Sequence, residues 1–237
     1  MMPPVAVISD IHANLSALRA VLADIHNQGI SRIFCLGDLV GYFAEPIPVI
    51  HLVLGRCEIV IKGNNDVAAI TGDVPEHYRD ESHQPLTITH DLLTVRERKT
   101  LNDLPTQVTT KCDDKNVMLI HGGPEYPYDQ YIYPDNKEDL HSTFSYMKML
   151  NVDVLFLGHT HVPFKAELDG RIICNPGSVG QPRDGDARAS YAIYDPSQHD
   201  ISFQRLEYDP TQTIMHIQKN LPEEMSKELV ERLMAGK

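Results

Sequence analysis

Side chains that bind metal ions stand directly after five short apolar runs in this 237-residue sequence. The five segments are Ser9-Asp10-Ile11-His12, Gly37-Asp38, Gly63-Asn64-Asn65-Asp66, His121-Gly122 and Gly158-His159-Thr160-His161. Imidazole suits zinc, iron and nickel, whereas carboxylate suits manganese and magnesium. Because no cysteine ends one of these runs, a structural zinc site with thiolate ligands is disfavoured. The pattern predicts a site for divalent ions with mixed oxygen and nitrogen ligands.

The candidate ligands are too many for one ion and suit two. They are Asp10, His12, Asp38, Asn64, His121, His159 and His161. Two ions about 3.5–4 Å apart can hold the oxygens of an in-line displacement and generate hydroxide at neutral pH. Phosphoryl transfer gains most from such charge stabilisation. Each motif is weak alone, but their ordered occurrence, each after an apolar run, favours a phosphoryl-transfer site.

The apolar runs predict the elements that must position these ligands. Runs at 5–9, 32–36, 58–61, 116–120 and 153–157 are typical of buried strands. A helix from the N-cap Asn14 to the stop signal Gly29, and a short helix at 46–54, separate the first three runs. Strands alternating with helices indicate a parallel sheet. Ligands bind beyond the carboxyl ends of such strands, which is where the seven side chains would meet.

The remaining pattern is more varied. We expect an irregular segment at 71–85, a helix at 91–104, a long loop at 124–136 and a helix at 140–150. Four short runs follow Pro163, at 164–168, 171–174, 191–194 and 201–206, and Asp169-Gly170 is a hairpin signal. These runs predict an antiparallel second half. An amphipathic helical tail is expected at 210–234.

The composition excludes several classes of function. The formal net charge of −12 argues against broad nucleic-acid binding, which requires a basic face. We find neither a run of about 18 apolar residues, as a membrane helix needs, nor a signal peptide. Four scattered cysteines without a Cys-x-x-Cys pair are expected to be reduced thiols. A cytoplasmic location is therefore predicted.

The ordered series Asp-x-His, Gly-Asp, Gly-Asn-x-Asp, His-Gly and Gly-His-x-His resembles that of the calcineurin-like metallophosphoesterase superfamily. Residues 9–15, 37–42 and 175–183 are similar to its small bacterial and archaeal branch. The resemblance spans residues 5 to about 195. It implies an α/β fold, a four-layer α/β/β/α sandwich with two facing mixed β-sheets. We expect one domain over residues 1–237, with a helical tail at about 210–235.

The resemblance also implies how the ligands divide. One ion would be held by Asp10, His12, Asp38 and His161, and the other by Asp38, Asn64, His121 and His159. Asp38 would bridge them together with a water or hydroxide that attacks phosphorus. Manganese is the expected metal, with iron, zinc, nickel, cobalt or magnesium as alternatives. Asp66 is expected to orient a ligand histidine. Arg183 is either a ligand of the substrate phosphate or a surface arginine paired with Asp184 or Asp186.

One position departs from the family pattern. The family usually has histidine where this chain has Asn65, and that histidine is thought to assist the leaving group. Asparagine can hydrogen-bond the phosphoryl group but cannot act as a general acid near neutral pH. We therefore expect a preference for good leaving groups. His77, His83 or His90 could replace the missing acid, or all three could be solvated loop histidines.

The resulting hypothesis is a two-metal-dependent phosphoesterase for phosphodiesters or activated phosphate esters of small molecules. Dinucleoside polyphosphate hydrolysis and phosphomonoester hydrolysis are alternatives. A metal-binding scaffold of the same fold, such as retromer's small subunit, is the non-enzyme alternative, and retention of all seven ligand positions favours the enzyme. The expected partner is a small phosphorylated substrate, not nucleic acid or membrane. Self-association through the acidic face or the C-terminal helix is left open.

Overall fold

Two five-stranded sheets form the centre of the fold. The computed structural model describes residues 2–78 and 80–237. In chain order the strands are β1 (Val5–Ile8), β2 (Arg32–Cys35), β3 (Ile59–Val60), β4 (Gln107–Cys112), β5 (Lys115–Ile120), β6 (Val154–Phe156), β7 (Phe164–Leu168), β8 (Arg171–Asn175), β9 (Ala189–Asp195) and β10 (Asp200–Leu206). The first sheet has the order β10-β9-β1-β2-β3 and the second β4-β5-β6-β8-β7. Both sheets are mixed, as expected.

The predicted parallel core of the first sheet is confirmed. Strands β1, β2 and β3 run parallel, and β9 and β10 extend the sheet antiparallel beside β1. The second half of the chain is not wholly antiparallel, so that prediction was wrong for one strand. The Asp169-Gly170 turn pairs Leu168 with Arg171 and reverses the chain, which brings β8 back parallel to β6. The hairpin itself was predicted.

Eight helices connect or flank the strands in the described part of the chain. They are α1 (Leu15–Asn27), α2 (Pro46–Arg56), α3 (Asn64–Thr71), α4 (Asp80–Leu92), α5 (Val95–Asn102), α6 (Lys137–Met149), α7 (Thr211–Asn220) and α8 (Glu223–Ala235). The Asn14 side chain caps α1 by accepting a hydrogen bond from the Ala17 N–H at 3.1 Å. None of the helices in this part is both long enough and apolar enough to cross a membrane.

The structure differs from the local predictions in four places. The single helix expected at 91–104 is divided, because Thr94 caps α5 by accepting from the N–H groups of Arg96 and Glu97. Residues 80–85, the end of the segment expected to be irregular, belong to α4, which contains Pro85. Strand β4 was not predicted, because its alternating exposed and half-buried residues form an edge strand with few apolar side chains. Helix α3 was also missed.

The alternation of side chains across the strands builds four layers. One face of the first sheet, with Ala6, Ile8 and Ile33, packs against the apolar faces of α1 and α2. The other face meets the second sheet in a shared core of Val5, Val7, Phe34, Leu36, Val117, Leu119, Val154 and Phe156. The outer face of the second sheet buries Met118, Ile120 and Leu155 with residues of α6, Phe144 and Met147. The predicted α/β/β/α sandwich is confirmed.

The C-terminal helices pack beside the loops that follow β1 and β2. Ile217, Leu229 and Leu233 of α7 and α8 form an apolar cluster with Ala13 and other residues of those loops. The expected amphipathic tail is therefore two helices, separated by Leu221 and Pro222. This packing buries the outer side of the loops whose inner side carries Asp10, His12 and Asp38.

The backbones that follow β2 and β3 approach closely at Gly37. Its φ of +95° lies in the left-handed region, and a Cβ there would stand 2.3 Å from the Gly63 nitrogen. Backbone atoms cannot yield as a flexible side chain can. This contact sets the spacing between Asp38 and Asn64, the residues that come next.

We expect Gly37→Ala to lower the free energy of unfolding by about 3 kcal/mol or more, because the added methyl overlaps backbone. Gly29→Ala is the matched control, since Gly29 also has a positive φ, of +71°, but open space around it. Its expected cost is about 1–2 kcal/mol from the left-handed conformation alone. Urea unfolding in the presence of EDTA measures both values. Equal losses in the two variants would show that the close approach is not a constraint.

Candidate metal centre

The seven predicted ligands lie at the edge where strand ends of both sheets meet. Asp10 and His12 follow β1, Asp38 follows β2, and Asn64 begins α3 directly after β3. The remaining three are supplied by the second sheet, after β5 and β6: His121, His159 and His161. Every one of the seven is at most 5% exposed. The structure thus brings together the whole predicted set in one buried cluster.

Several ligands have a backbone conformation that non-glycine residues avoid. Five have φ between 51° and 68°: Asp10, His12, Asp38, His159 and His161. Each such residue costs of order 1–3 kcal/mol and persists only where surrounding structure holds it. Backbone hydrogen bonds do so here, from Asp10 N to Gly37 O at 3.1 Å and from His12 N to Asp38 O at 3.0 Å. Strain concentrated on these residues is typical of functional sites.

The first group of ligands contains Asp10, His12 and His161, whose ligand atoms lie within 4.8 Å of one another. The Nε2 atoms of the two histidines are 3.0 Å apart. The Nδ1 of His12 donates to the Val40 carbonyl at 3.2 Å, and the Nδ1 of His161 donates to the Gln181 carbonyl at 2.5 Å. In the neutral rings, both Nε2 lone pairs therefore face each other. A cation between them relieves this repulsion, so the donor set fits a metal ion.

A second group of ligands surrounds His121. Its Nδ1 donates to the Leu36 carbonyl at 2.8 Å, while its Nε2 lies 3.4 Å from Asp38 Oδ2 and 3.0 Å from Asn64 Oδ1. The Asn64 oxygen is also 3.0 Å from His159 Nδ1. The Nε2 atom of His159 is buried and has no hydrogen-bond partner among residues 2–78 and 80–237. Imidazole, amide and carboxylate together again fit a divalent ion.

Two carboxylates connect these groups. Asp38 Oδ2 lies 3.7 Å from His12 Nε2 and 3.4 Å from His121 Nε2. Asp10 Oδ1 lies 3.4 Å from His161 Nε2 and 3.9 Å from His121 Nε2. Asp38 therefore stands between the two groups, where the resemblance expects a bridging ligand, and Asp10 reaches both.

The electrostatics keep most of these groups in the state that binds metal. Burial would raise the pKa of both carboxyls, but the surrounding imidazoles outweigh it. They hold the pKa of Asp10 well below its usual range and lower that of Asp38 to about 2. Burial and a neighbouring histidine lower the pKa of His12 and of His159 to about 3. Both imidazoles are therefore neutral near pH 7, as metal coordination requires.

The comparison with known proteins agrees with this geometry. The sequence profile of the calcineurin-like phosphoesterase superfamily domain matches residues 4–199. The chain belongs to this superfamily. An uncharacterized protein of Methanocaldococcus jannaschii is 36% identical over 250 aligned positions, which cover 98% of each chain. The family is metal-dependent, and the buried cluster contains two groups of side chains that could hold a metal ion, Asp10 with His12 and His161, and Asp10 with Asp38 and His121.

Solved structures share the whole fold. A metallophosphoesterase from Sphaerobacter thermophilus superimposes with a TM-score of 0.83, at 34% identity and with full coverage of both chains. A hypothetical protein from Pyrococcus horikoshii gives 0.84 at 26% identity, covering 96% of this chain and 98% of its own. An archaeal phosphodiesterase gives 0.54 at 18% identity, which is evidence for the fold alone.

The Asp66 carboxylate accepts hydrogen bonds from backbone N–H groups. Its Oδ1 accepts from the N–H groups of Leu39 and Val40 at 2.9 and 3.2 Å, and its Oδ2 accepts from the Gly63 N–H at 2.9 Å. It therefore holds backbone on both sides of the site rather than orienting a ligand histidine. Burial and the nearby Asp38 charge raise its pKa to about 7.

Asn65 contacts Asp38 through both its backbone and its side chain. Its backbone N–H donates to Asp38 Oδ1 at 2.8 Å, and its side-chain amide donates to Asp38 Oδ2 at 2.6 Å. Its Oδ1 is buried, without a hydrogen-bond partner in the described ranges. Because α3 begins at Asn64, both contacts depend on a helix start that the sequence pattern presented only as a turn.

Arg183 lines the same cavity as Asp38, Asn64 and His161. Its guanidinium donates to the Tyr42 hydroxyl and to Gln181 Oε1, both at 3.0 Å. Within the described residues, the carboxylates suggested as its surface partners pair elsewhere, Asp184 with Arg205 and Asp186 with Arg188. Its positive charge therefore faces the cavity without a carboxylate to neutralise it.

The three candidate acids beyond β3 have separate positions. His77 lines the cavity, whereas His83 and His90 bond the backbone carbonyls of Tyr78 and Ala69. Tyr42 and Tyr131, which stand in loops near the sequence motifs, also line the cavity. Sequence reasoning missed Tyr78 and Asp129, because they stand in segments without a recognisable motif.

Metal binding is expected to release a proton from His121. Burial opposes its protonation, but Asp38 and Asp10 outweigh burial and raise its pKa to about 10, so the metal-free chain holds this proton at pH 7. A bound cation displaces it. Calorimetric titration with Zn²⁺ in two buffers of different ionisation enthalpy counts the protons.

The test compares His121→Gln with His216→Gln. The His216 side chain is half-exposed and pairs with Glu45 away from the cluster. Wild type and His216→Gln are expected to release about one proton more than His121→Gln. The same count in all three chains would contradict this charge state of His121.

Proposed function

We propose that this chain is a two-metal-dependent phosphoesterase that hydrolyses phosphodiesters or activated phosphate esters of small molecules. The observation that carries the proposal is the pair of facing Nε2 atoms of His12 and His161, 3.0 Å apart and buried. Such an arrangement is unfavourable in a metal-free protein core and is explained by a cation site. Two carboxylates that reach both ligand groups support a second ion.

The proposed division of ligands follows the two groups. Asp10, His12, Asp38 and His161 would hold one ion, and Asp38, Asn64, His121 and His159 the other, with manganese as the expected metal. When bound, the ions supply positive charge for a phosphoryl oxygen and increase the acidity of a coordinated water. The chain contributes buried, pre-oriented donors, because backbone carbonyls fix the rings of His12, His121 and His161.

Substrate binding is proposed for the residues that line the cavity around the cluster. The cavity has a volume of about 50 Å³ and is lined by Asp38, Asn64, His159 and Arg183, among others. Arg183 would bind a phosphoryl oxygen through its guanidinium, which Tyr42 and Gln181 hold in place. Together with the bound metal ions, the Arg183 guanidinium would offset part of the chain's net negative charge where an anionic substrate enters.

Asn65 supports the preference for good leaving groups. Its amide donates to Asp38 and has no titratable proton, so it orders the bridging carboxylate and cannot protonate a departing oxygen. Diesters and activated esters with acidic leaving groups are therefore the proposed substrates.

The test is hydrolysis of bis(p-nitrophenyl) phosphate and p-nitrophenyl phosphate in Mn²⁺, with Asp38→Asn as the variant. We expect metal-dependent turnover with the diester preferred, and a loss in kcat of about 10²–10³-fold or more in the variant. Asp24→Asn is the matched control, because Asp24 belongs to neither candidate metal group and its carboxylate accepts from Gln28 and from Tyr191 of β9. Absence of turnover with any of several divalent metals would contradict the proposal.

A second variant tests the substrate-binding role separately. Arg183→Gln is expected to raise KM about tenfold while the bound metal content stays that of wild type, because the charge-assisted bond to the phosphoryl oxygen is lost. Arg205→Gln is the control, since Arg205 pairs with Asp184 outside the cavity. An unchanged KM in Arg183→Gln would remove Arg183 from the site.

A further inference from the structure

A histidine and a carboxylate from distant parts of the chain meet at the cavity. His77 precedes α4, and Asp129 lies in the loop between β5 and α6. His77 Nε2 is 3.4 Å from Asp129 Oδ1, and the side chains are 64% and 48% exposed. Both line the cavity together with Asp38 and Asn64. The pair is therefore accessible to a substrate that reaches the metal ligands.

Hydrogen bonds anchor the two segments that carry this pair. The Tyr78 hydroxyl donates to the backbone carbonyl of Asn64 at 3.3 Å, which ties the segment of His77 to the start of α3. The ring of Tyr78 also contacts the His77 ring edge-to-face, with centroids 5.1 Å apart. On the other side, the Tyr128 hydroxyl bonds the Thr106 hydroxyl at 2.7 Å. The imidazole and the carboxylate thus project from fixed positions.

The pair offers one proton donor to the cavity. In the protonated ring, Nε2–H donates to Asp129, and Nδ1–H remains for another acceptor. The Nδ1 atom has no partner within the part of the chain that the structure describes. His83 and His90 lack this freedom, because each bonds a backbone carbonyl and neither lines the cavity.

Among the described residues, the other nitrogen groups at the site are poorly suited to protonate the leaving group. Asn65 has no titratable proton, and its backbone N–H and its side-chain amide donate to Asp38. The Arg183 guanidinium donates to Tyr42 and Gln181. The other histidines lie inside the buried cluster. Those at positions 12, 121 and 161 each bond a backbone carbonyl through Nδ1, and the Nδ1 of His159 contacts the side-chain oxygen of Asn64. A cavity histidine with a carboxylate partner is the group whose chemistry fits the task.

We propose that His77, positioned by Asp129, protonates the leaving-group oxygen of the substrate, and this inference rests on the proposed phosphoesterase function. A water molecule loses one proton to solvent and its oxygen forms a bond to phosphorus, while the bond from phosphorus to the leaving oxygen breaks. The electron pair stays on that oxygen, which takes the proton from His77. The neutral imidazole regains a proton from solvent. A diester thereby gives a phosphomonoester and an alcohol or phenol.

The experiment compares leaving groups in full-length His77→Asn, Asp129→Asn and wild type. The leaving group of bis(p-nitrophenyl) phosphate is acidic and departs without protonation. The phenol leaving group of diphenyl phosphate is a much weaker acid, so its oxygen needs a proton as it departs. We expect the kcat/KM ratio of the first substrate over the second to rise about 100-fold in His77→Asn. A smaller rise is expected in Asp129→Asn, and little further change in the double variant.

His83→Asn is the matched control, because it makes the same change in the same segment away from the cavity. Its ratio should equal that of wild type. Bound metal content and melting temperature should be the same in all variants, which separates a lost proton donor from a damaged site.

The two proposals fail in distinguishable ways. If wild type hydrolyses neither substrate in any divalent metal, the phosphoesterase function fails. If wild type hydrolyses both but the ratio is unchanged in His77→Asn, the function stands and the role of His77 is overturned. A ratio that rises equally in His83→Asn would also overturn it, since the effect would then belong to the segment rather than to the proton donor.

Discussion

Two buried imidazoles that present lone pairs to each other are the interaction on which the site depends. His12 and His161 belong to different sheets, and their Nε2 atoms lie 3.0 Å apart only because carbonyls hold both rings from behind. Without a cation, this contact opposes folding. Ligands that bind the folded state alone add their binding free energy to its stability. Metal binding and the joining of the two sheets at this edge are therefore coupled.

The same constraint explains the unusual backbone around the cluster. Ligands such as Asp10 and His159 have left-handed backbones, and Asp38 stands where a Cβ on Gly63 would lie 2.1 Å from its Oδ1. These costs are local, while the shared core between the sheets is continuous and apolar. The sandwich can thus hold a strained rim that no isolated loop could maintain. Asp66 contributes by joining the backbones after β2 and β3 through three N–H bonds.

The parts predicted from the sequence are those that a local pattern encodes. Apolar runs ending in Asp, Asn or His indicated strands β1, β2 and β6 and the ligands after them, because strand length and residue type are local properties. The four layers required the family resemblance, since nothing in the pattern specifies how two sheets face each other. Strand β4 and the division of α4 from α5 were missed, because edge strands and a threonine cap carry weak signals.

Contacts between distant residues account for what the sequence could not provide. Asp66 was predicted to orient a histidine, yet its oxygens accept from backbone N–H groups. Because nearly every residue type has such a group, the sequence does not indicate this contact. His77 was one of three candidate acids in the sequence, and its contact with Asp129, 52 positions away, has no local sequence signal.

The proposed site separates the residue that orders the Asp38 carboxylate from the residue that donates the proton. An acid at position 65 would share its hydrogen-bonding groups with the bridging carboxylate, whereas Asn65 is committed to Asp38 and leaves proton transfer to another side chain. A donor on the exposed wall exchanges protons with solvent readily, and its carboxylate partner lies outside the cluster of ligands. Removal of the proposed donor is therefore expected to affect the leaving group without disturbing the proposed metal ligands. The proposed mechanism divides charge stabilisation, in the buried cluster, from proton transfer, at the exposed wall, because these groups lie apart.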